Sequence, residues 1–343
     1  MQISPSALPS RDVARYVLIT IAITAVAALL WLVADMLVLA FGGIVFAVVL
    51  RAIAGPVGRV TGWSDRWAVT FTVLLLAALF GALAWLFGDH LVGQVQNFRE
   101  QLPAAIEKVR GWIEKFQGGK LFLGSLQSGA SESKWMGDVA KIAGMTVGML
   151  ANALLIIFVG IYLALDPGLY LKGILKLVPT EQRPKVRDAL LATGIGLHKW
   201  LVGQFVVMIF VGVTTGLGLW AIGVPSALML GVLAGLLEFV PLIGPILSAI
   251  PGLLLASLEG PSTMFYALLV YVAMQQLEGI IATPIAQRWS VKLPPALTLI
   301  SLFGVGLVFG TLGVIFATPM TVALMILVEK LYIKRVADRP AEA

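Results

Sequence analysis

The stretch SALMLGVLAGLLEFVPLIGPILSAIPGLLLAS, residues 226–257, decides the fold of this chain. It is predominantly apolar, and its centre carries Glu238 followed by the helix breakers Pro241, Gly244 and Pro245. Two helical arms of about 16 residues would each reach ~24 Å, which is short of the ~30 Å hydrocarbon core of a bilayer. The stretch therefore predicts a re-entrant helical hairpin in preference to two complete membrane spans.

A second broken apolar stretch follows at residues 295–331, between the basic residues Lys292 and Lys334. Its helix breakers are Gly310, Gly313 and Pro319. A further breaker, Pro284, follows the preceding span. If the two stretches enter the bilayer from opposite leaflets, the two halves form an inverted repeat, which is a recurring plan of secondary transporters. The alternative is that Pro and Gly only kink ordinary spans, which membrane helices tolerate.

The composition excludes a soluble globular protein. Hydrophobic residues make up 59% of the chain and charged residues 12%, whereas a soluble domain carries about 25% charged residues. The net charge of +6 comes from basic residues clustered between apolar runs, a pattern that indicates membrane topology and argues against a nucleic-acid partner. The chain has no cysteine and only two histidines, so we expect no metal centre and no cofactor.

Six further apolar runs have lengths near the ~20 residues that cross a bilayer, at residues 16–34, 36–50, 67–88, 144–165, 200–222 and 262–281. With the two hairpins they predict an all-α polytopic membrane protein of about eight membrane segments. The short loops on one side hold most of the lysines and arginines, which predicts a bacterial inner-membrane protein with both termini cytoplasmic. The predicted regions are N-terminal spans (1–88), an extracytoplasmic insertion (89–143), a fourth span with a cytoplasmic amphipathic segment (144–199), a span plus hairpin (200–257), a second span plus hairpin (258–331) and a tail (332–343).

The insertion at residues 89–143 begins with apolar residues at three- and four-residue steps, from Leu91 to Phe116. This spacing predicts an amphipathic helix, and residues 118–133, rich in Gly and Ser, predict a flexible loop. The apolar face would pack on neighbouring helices or subunits, or it would form a lid or an interfacial helix. Of these alternatives we favour packing.

Apart from Glu329 and Lys330 at the end of the second broken stretch, Glu238 and Glu278 are the only charged residues inside the predicted membrane segments. A charged carboxylate at mid-bilayer costs about 2.5–3.5 kcal/mol, so each must be protonated, hydrated or bound to a cation. We therefore predict that both couple transport to H⁺ or Na⁺. The alternative is a position near a helix end at the membrane interface, where a glutamate costs little.

Other polar residues of these segments are candidate contacts for a small polar solute: Gln204, Gln275, Gln276, Thr283 and Thr318. Amides can donate to and accept from hydroxyl and carbonyl groups, although linking helices is their commoner use in membranes. Glycine pairs such as Gly212/Gly216 and Gly231/Gly235 indicate close helix packing. The sequence has no nucleotide-binding loop and no HExxH motif, so we expect a transporter driven by a gradient and no enzyme.

Three runs carry a specific resemblance: EFVPLIGPILSAIP (238–251), QQLEGIIATP (275–284) and PPALTLISLFGVGLVFGTLGVIFATP (294–319), with LVGQ at 201–204. They closely resemble the autoinducer-2 exporter family of bacterial and archaeal permeases. The resemblance implies about eight membrane segments, a homo-oligomer expected as a pentamer, and elevator-like movement of the hairpin half. It also implies export of a furanone-type quorum signal or, in other members, sodium (lithium)/proton antiport. Ile280 departs from the family, which often has Asn there, and this bears on substrate choice.

Three functional hypotheses follow. The first is a secondary transporter that exports a small polar solute bound between the two hairpin tips, with Glu238 and Glu278 coupling ion movement. The second is a sodium (lithium)/proton antiporter without an organic solute. The third is a membrane scaffold or regulatory protein without transport activity, in which the insertion at 89–143 would contact a partner.

Overall fold

The computed structural model describes residues 17–21, 23–25, 28, 32–115, 132–288, 291 and 293–333. Seven residues of the predicted first span (16–34), most of the Gly/Ser-rich loop (118–133) and most of the C-terminal tail (332–343) lie outside the described residues. Every regular element in the described part of the chain is helical, so the all-α prediction is confirmed. The helices are α1 (Ala34–Thr61), α2 (Asp65–Lys115), α3 (Glu132–Leu165), α4 (Pro167–Lys176), α5 (Arg183–Ala221), α6 (Ala227–Leu237), α7 (Ile243–Glu259), α8 (Pro261–Leu277), α9 (Thr283–Gln287) and α10 (Pro295–Val328).

Six helical segments of the described chain are long and apolar enough to cross a membrane: Ala34–Thr61, Asp65–Leu86, Gly148–Leu165, Thr180–Ala221, Pro261–Gln287 and Pro295–Tyr332. The polytopic membrane class is therefore confirmed. The apolar helices α6 and α7 are shorter and together form the first broken stretch.

Helix α1 is longer than the apolar run at 36–50 that predicted it. It continues to Thr61 and ends at Gly62, whose φ of 70° lets its N–H bond to the Gly58 carbonyl. Arg51 and Arg59, which follow the predicted run, therefore lie on the helix and not in a loop. The hydropathy falls where these charges begin, but the helical backbone continues because charged side chains at a helix end can reach water.

Helix α2 also passes through a predicted boundary. Its 51 residues run without a break from the apolar span into the amphipathic insertion, across the boundary predicted at 88/89. The span and the first part of the insertion are one continuous helix.

The first hairpin, residues 227–259, consists of α6 and α7 joined by residues 238–242. Its turn contains Leu242 with a φ of 72°, a value that L-residues rarely adopt. Gly244 follows with no room for a side chain, because a Cβ there would lie 2.0 Å from the Leu237 carbonyl oxygen. At 1.5 Å per residue, the 11 residues of α6 cover about 16 Å, half of a bilayer core.

The second hairpin is α10 itself, which folds back at Gly310 (φ 60°, ψ −146°). A Cβ on Gly313 would lie 2.4 Å from the Val305 carbonyl oxygen, whereas eight residues of straight helix cover about 12 Å. The chain therefore reverses between arms 295–309 and 311–328. Pro319, predicted as a further break, lies inside the second arm, which stays helical around it because membrane helices tolerate proline.

Glycines join the first hairpin to α5. Gly212 and Gly216 of α5 face Gly231 and Gly235 of α6, and a Cβ on Gly231 would lie 2.6 Å from the Gly216 Cα. The two backbones approach this closely only because neither helix carries a side chain there. The predicted close-packing role of these glycines is confirmed.

Candidate functional site

The turn of the first hairpin is held by Gln204 of α5. Its Nε2 donates to the main-chain oxygen of Glu238, 2.6 Å away. Glu238 directly follows the last residue of α6, where helix carbonyls have no partner within the helix. Gln204 thus satisfies a backbone acceptor and fixes the turn against α5.

The Glu238 side chain is only 2% exposed, and its Oε2 has no hydrogen-bond partner among the described residues. No lysine, arginine or histidine is among the residues that line the cavities around it. A carboxyl group in such surroundings must be protonated, hydrated or bound to a cation.

Glu278 begins a π-helical turn, Glu278–Ala282, between α8 and α9. Pro284 explains the wider turn, since its ring cannot fit against the carbonyl four residues earlier in an ordinary α-helix. The turn brings Thr283 beside Glu278. Oε1 of Glu278 accepts from the Thr283 hydroxyl (3.2 Å) and Oε2 accepts from the Gln275 amide (2.7 Å).

Both glutamates line a cavity of about 240 Å³. The turn of the first hairpin contributes Pro241 and Leu242, and the second hairpin contributes the start of its first arm and Thr318 of its second arm. Gly310, the reversal point of the second hairpin, is not among the lining residues. The cavity therefore lies between the tip of the first hairpin and the arms of the second, and the predicted position between two tips does not match it.

A second, much smaller cavity of about 20 Å³ is also lined by Glu238 and Glu278. Its other polar lining residues are Thr215, Ser248, Tyr271 and Gln275. Glu238 and Glu278 are thus the acidic residues that the two cavities share.

The structure brings most predicted site residues together. Gln204, Thr283 and Thr318 line the larger cavity with the two glutamates, and Gln275 lines the smaller one. Thr318 is buried, and its hydroxyl lacks a hydrogen-bond partner among the described residues, so it can bind a polar group in the cavity. Gln276 is exposed and lines neither cavity.

Tyr271 is a site residue that the sequence reasoning missed. Its buried hydroxyl has no partner in the described part of the chain, and it lies so close to α7 that a Cβ on Gly252 would be 2.1 Å from it. The helical spacing between Tyr271 and the predicted site residues could have identified it. Tyr271, Gln275 and Glu278 stand at i, i+4 and i+7, which places them on one helix face.

Membrane-length apolar helices and a cavity lined by two glutamates define the class of this protein, a multi-pass α-helical membrane protein. The family described as AI-2E family transporter matches residues 18–333. The chain belongs to this family.

Relatives with names of transport proteins or permeases agree with the family match. YrrI of Bacillus subtilis (strain 168) is 25% identical over 282 residues, covering 75% of this chain and 77% of YrrI. A transport protein of Thermotoga maritima is 30% identical over 217 residues, covering 63% and 64% of the two chains. PerM of Escherichia coli (strain K12), named as a permease, is 26% identical over 273 residues, covering 76% and 77%.

Proposed function

We propose that this chain is a secondary transporter that exports a small polar solute by coupling its movement to H⁺ or Na⁺. The observation that carries the proposal is the convergence of two acidic side chains, Glu238 and Glu278, on one cavity whose described lining has no basic residue. Ionisable groups of this kind inside membrane proteins mark proton and ion pathways. The cavity volume of about 240 Å³ suits a small solute, since pockets for drug-sized ligands measure roughly 300–1,000 Å³.

Polar groups of the cavity supply both donors and acceptors for such a solute. The Thr318 hydroxyl is buried without a described partner, whereas Gln204 already donates to the hairpin turn and Thr283 to Glu278. Thr318 is therefore the group best placed to bind solute, and Gln204 and Thr283 position the turn and the carboxylate. A furanone or another small hydroxyketone could use these hydroxyl and carboxyl groups.

The proposed transport cycle uses the two hairpins as re-entrant elements of an inverted repeat, with the hairpin half moving in an elevator-like manner against the N-terminal helices. The short α6 supports re-entry, because about 16 Å of helix does not cross a bilayer core. The basic residues of the short loops support a bacterial inner-membrane location with both termini cytoplasmic. The family resemblance supports a homo-oligomer, which a light-scattering mass of the detergent-solubilised protein would test.

Reconstituted vesicles test the coupling role. Efflux of a furanone signal, small polyols and hydroxyketones would be measured under an imposed pH or sodium gradient for the wild type and for Glu238→Gln and Glu278→Gln. We expect each substitution to lower gradient-driven efflux at least tenfold. Glu259→Gln is the matched control, since Glu259 is exposed at the end of α7. Unchanged gradient dependence in both cavity variants would refute the coupling role.

Sodium (lithium)/proton antiport is the second candidate function, and the smaller cavity favours it. A volume of about 20 Å³ holds a single water-sized particle, and Glu238 Oε2 and the Tyr271 hydroxyl are both buried beside it without described partners. Sodium pulses would then drive proton movement in vesicles without any organic solute, and Tyr271→Phe would weaken the response. Proton movement that requires the organic solute would favour the exporter.

A further inference from the structure

One face of α1 lines two cavities, neither of which is lined by Glu238 or Glu278. Its lining residues follow helical spacing: Ile44, Ala47, Val48, Arg51, Ala54, Gly55 and Gly58. The first cavity measures about 650 Å³ and the second about 390 Å³, and Arg51 lines both. From Ile44 to Gly58 the helix rises about 21 Å, and the two cavities that lie along this face on either side of Arg51 are together named the α1 groove.

The first part of the α1 groove is apolar. Its walls come from four helices, with Leu163 of α3, Leu171 of α4 and Leu191 and Ile195 of α5 facing Ile44 and Val48 of α1. Gly194 of α5 also lines it, and a Cβ at Gly194 would meet no atom within 4 Å. This part is therefore an apolar cavity with space for a further group. Arg51 closes one end of it, and His198 borders it.

The second part of the α1 groove is polar and positively charged. Arg51 bonds to Asp65 and to the Ala164 carbonyl oxygen (3.3 Å), so its charge is partly balanced. Arg59 lines the same cavity and has no ion-pair partner among the described residues. Two guanidinium groups thus face one carboxylate, and the excess positive charge favours an anion.

Helix α4, which borders this groove, has the residue pattern of a helix that lies along a membrane surface. Asp166 caps its N-terminus by accepting from the Leu169 N–H (3.2 Å) and is held by Arg66 (2.6 Å). The helix exposes Leu169 and Ile174 beside the basic Lys172 and Lys176, which is the pattern of a helix lying in the interfacial plane. Its residue Leu171 lines the apolar part of the groove.

We propose that the α1 groove binds one anionic phospholipid, with its phosphate at Arg59 and Arg51 and an acyl chain along the apolar part beside Gly194. Charge complementarity selects an anionic headgroup, and basic pockets between membrane helices bind such headgroups. The polar part of the groove adjoins the apolar part, just as the headgroup of a phospholipid adjoins its acyl chains. A soluble anion would occupy only the polar part. The bound lipid would connect α1 to α5, the helix that carries Gln204. This inference concerns a site separate from the proposed transport cavity.

Full-length protein, delipidated in detergent, would be titrated with dioleoyl phosphatidylglycerol or dioleoyl phosphatidylcholine and examined by native mass spectrometry and thermal unfolding. We expect saturable binding of one phosphatidylglycerol and weaker binding of phosphatidylcholine. Arg59→Gln should weaken phosphatidylglycerol binding about fivefold, the equivalent of about 1 kcal/mol for one surface arginine near an anionic lipid. Gly194→Leu should weaken it at least as much by occupying the acyl seat.

Two matched variants control for charge and bulk. Arg187→Gln removes an exposed arginine of α5 that lines neither part of the groove, and Gly81→Leu adds the same side chain where a Cβ meets no atom within 4 Å. Both should bind phosphatidylglycerol as the wild type does, and circular dichroism would show that all four variants are folded. Equal binding of the two lipids, or wild-type binding by both Arg59→Gln and Gly194→Leu, would overturn the proposal. Equal stabilisation by glycerol phosphate alone would assign the site to a soluble anion and overturn it too.

Discussion

Lys108 of α2 donates its ammonium group to the main-chain oxygen of Leu258, 2.6 Å away in the last turn of α7. Carbonyls in a last helical turn lack partners within the helix and carry the negative end of its dipole, so an ammonium group stabilises them. Ala105, one turn earlier on α2, is fully buried. The outer part of α2 therefore packs on the first hairpin, which is the alternative that the sequence analysis favoured for the amphipathic insertion.

Replacing Lys108 with Met should lower the free energy of unfolding in detergent by about 1 kcal/mol, because a charge-assisted bond at a helix C-terminus is lost. Thermal unfolding followed by circular dichroism measures the change. Lys185→Met is the control, since Lys185 is exposed on α5 and should leave the unfolding temperature unchanged. Equal effects of the two substitutions would show that the Leu258 contact does not stabilise the protein.

Gly244→Ala should destabilise the turn of the first hairpin by at least about 2 kcal/mol, because the new Cβ would overlap the Leu237 carbonyl, which cannot move without distorting α6. The unfolding temperature should fall and solute efflux should fall with it. Gly173→Ala provides the comparison. A Cβ there meets no atom within 4 Å, and alanine in a helix interior is favoured over glycine by about 1 kcal/mol. A tolerated alanine at position 244 would argue against the turn described here.

Gly310→Ala tests the reversal of the second hairpin. The φ of 60° and ψ of −146° at Gly310 are strained for any residue with a side chain, so alanine should cost about 1–3 kcal/mol although no atom lies within 4 Å of the added Cβ. Gly304→Ala, in the helical first arm with equal room, should be neutral or stabilising. If α10 were instead a straight helix, both substitutions would stabilise the protein equally.

Gln204→Leu should destabilise the protein by about 1–3 kcal/mol, because the Glu238 carbonyl oxygen loses its side-chain donor. The comparison is Gln276→Leu, which changes an exposed amide that lines neither cavity and should leave the unfolding temperature unchanged. Vesicle efflux measured on the same variants separates two roles. If Gln204→Leu abolished transport without any loss of stability, Gln204 would bind the solute and would not serve to position the turn of the first hairpin.

The hairpin turns could be predicted from sequence because their causes are local. Pro241, Gly244 and Pro245 cannot continue the preceding helix in an apolar stretch, whatever surrounds them. Pro319 shows the limit of the same reasoning, because a proline in a membrane helix breaks it only when the surrounding packing does not accommodate the kink. Composition identifies breakers, and tertiary packing decides which of them reverses the chain.

The sequence predicted the acidic residues of the candidate cavity, but it did not predict the hydrogen bonds around them. Glu238 and Glu278 stood out because acidic residues in apolar segments are costly wherever they lie. The partner of Gln204 is a backbone carbonyl, which no residue type signals. Its positioning role is therefore visible only in the folded structure. Tyr271 could have been found, since helical spacing places it on the same face as Glu278.

The unbroken backbone of α2 has a mechanical consequence. Because α2 is one helix of 51 residues, its apolar half and the half that carries Lys108 are joined by helical backbone with no loop between them. A displacement of the half that carries Lys108 would therefore act on the apolar half of α2 and on the last turn of α7, which Lys108 contacts.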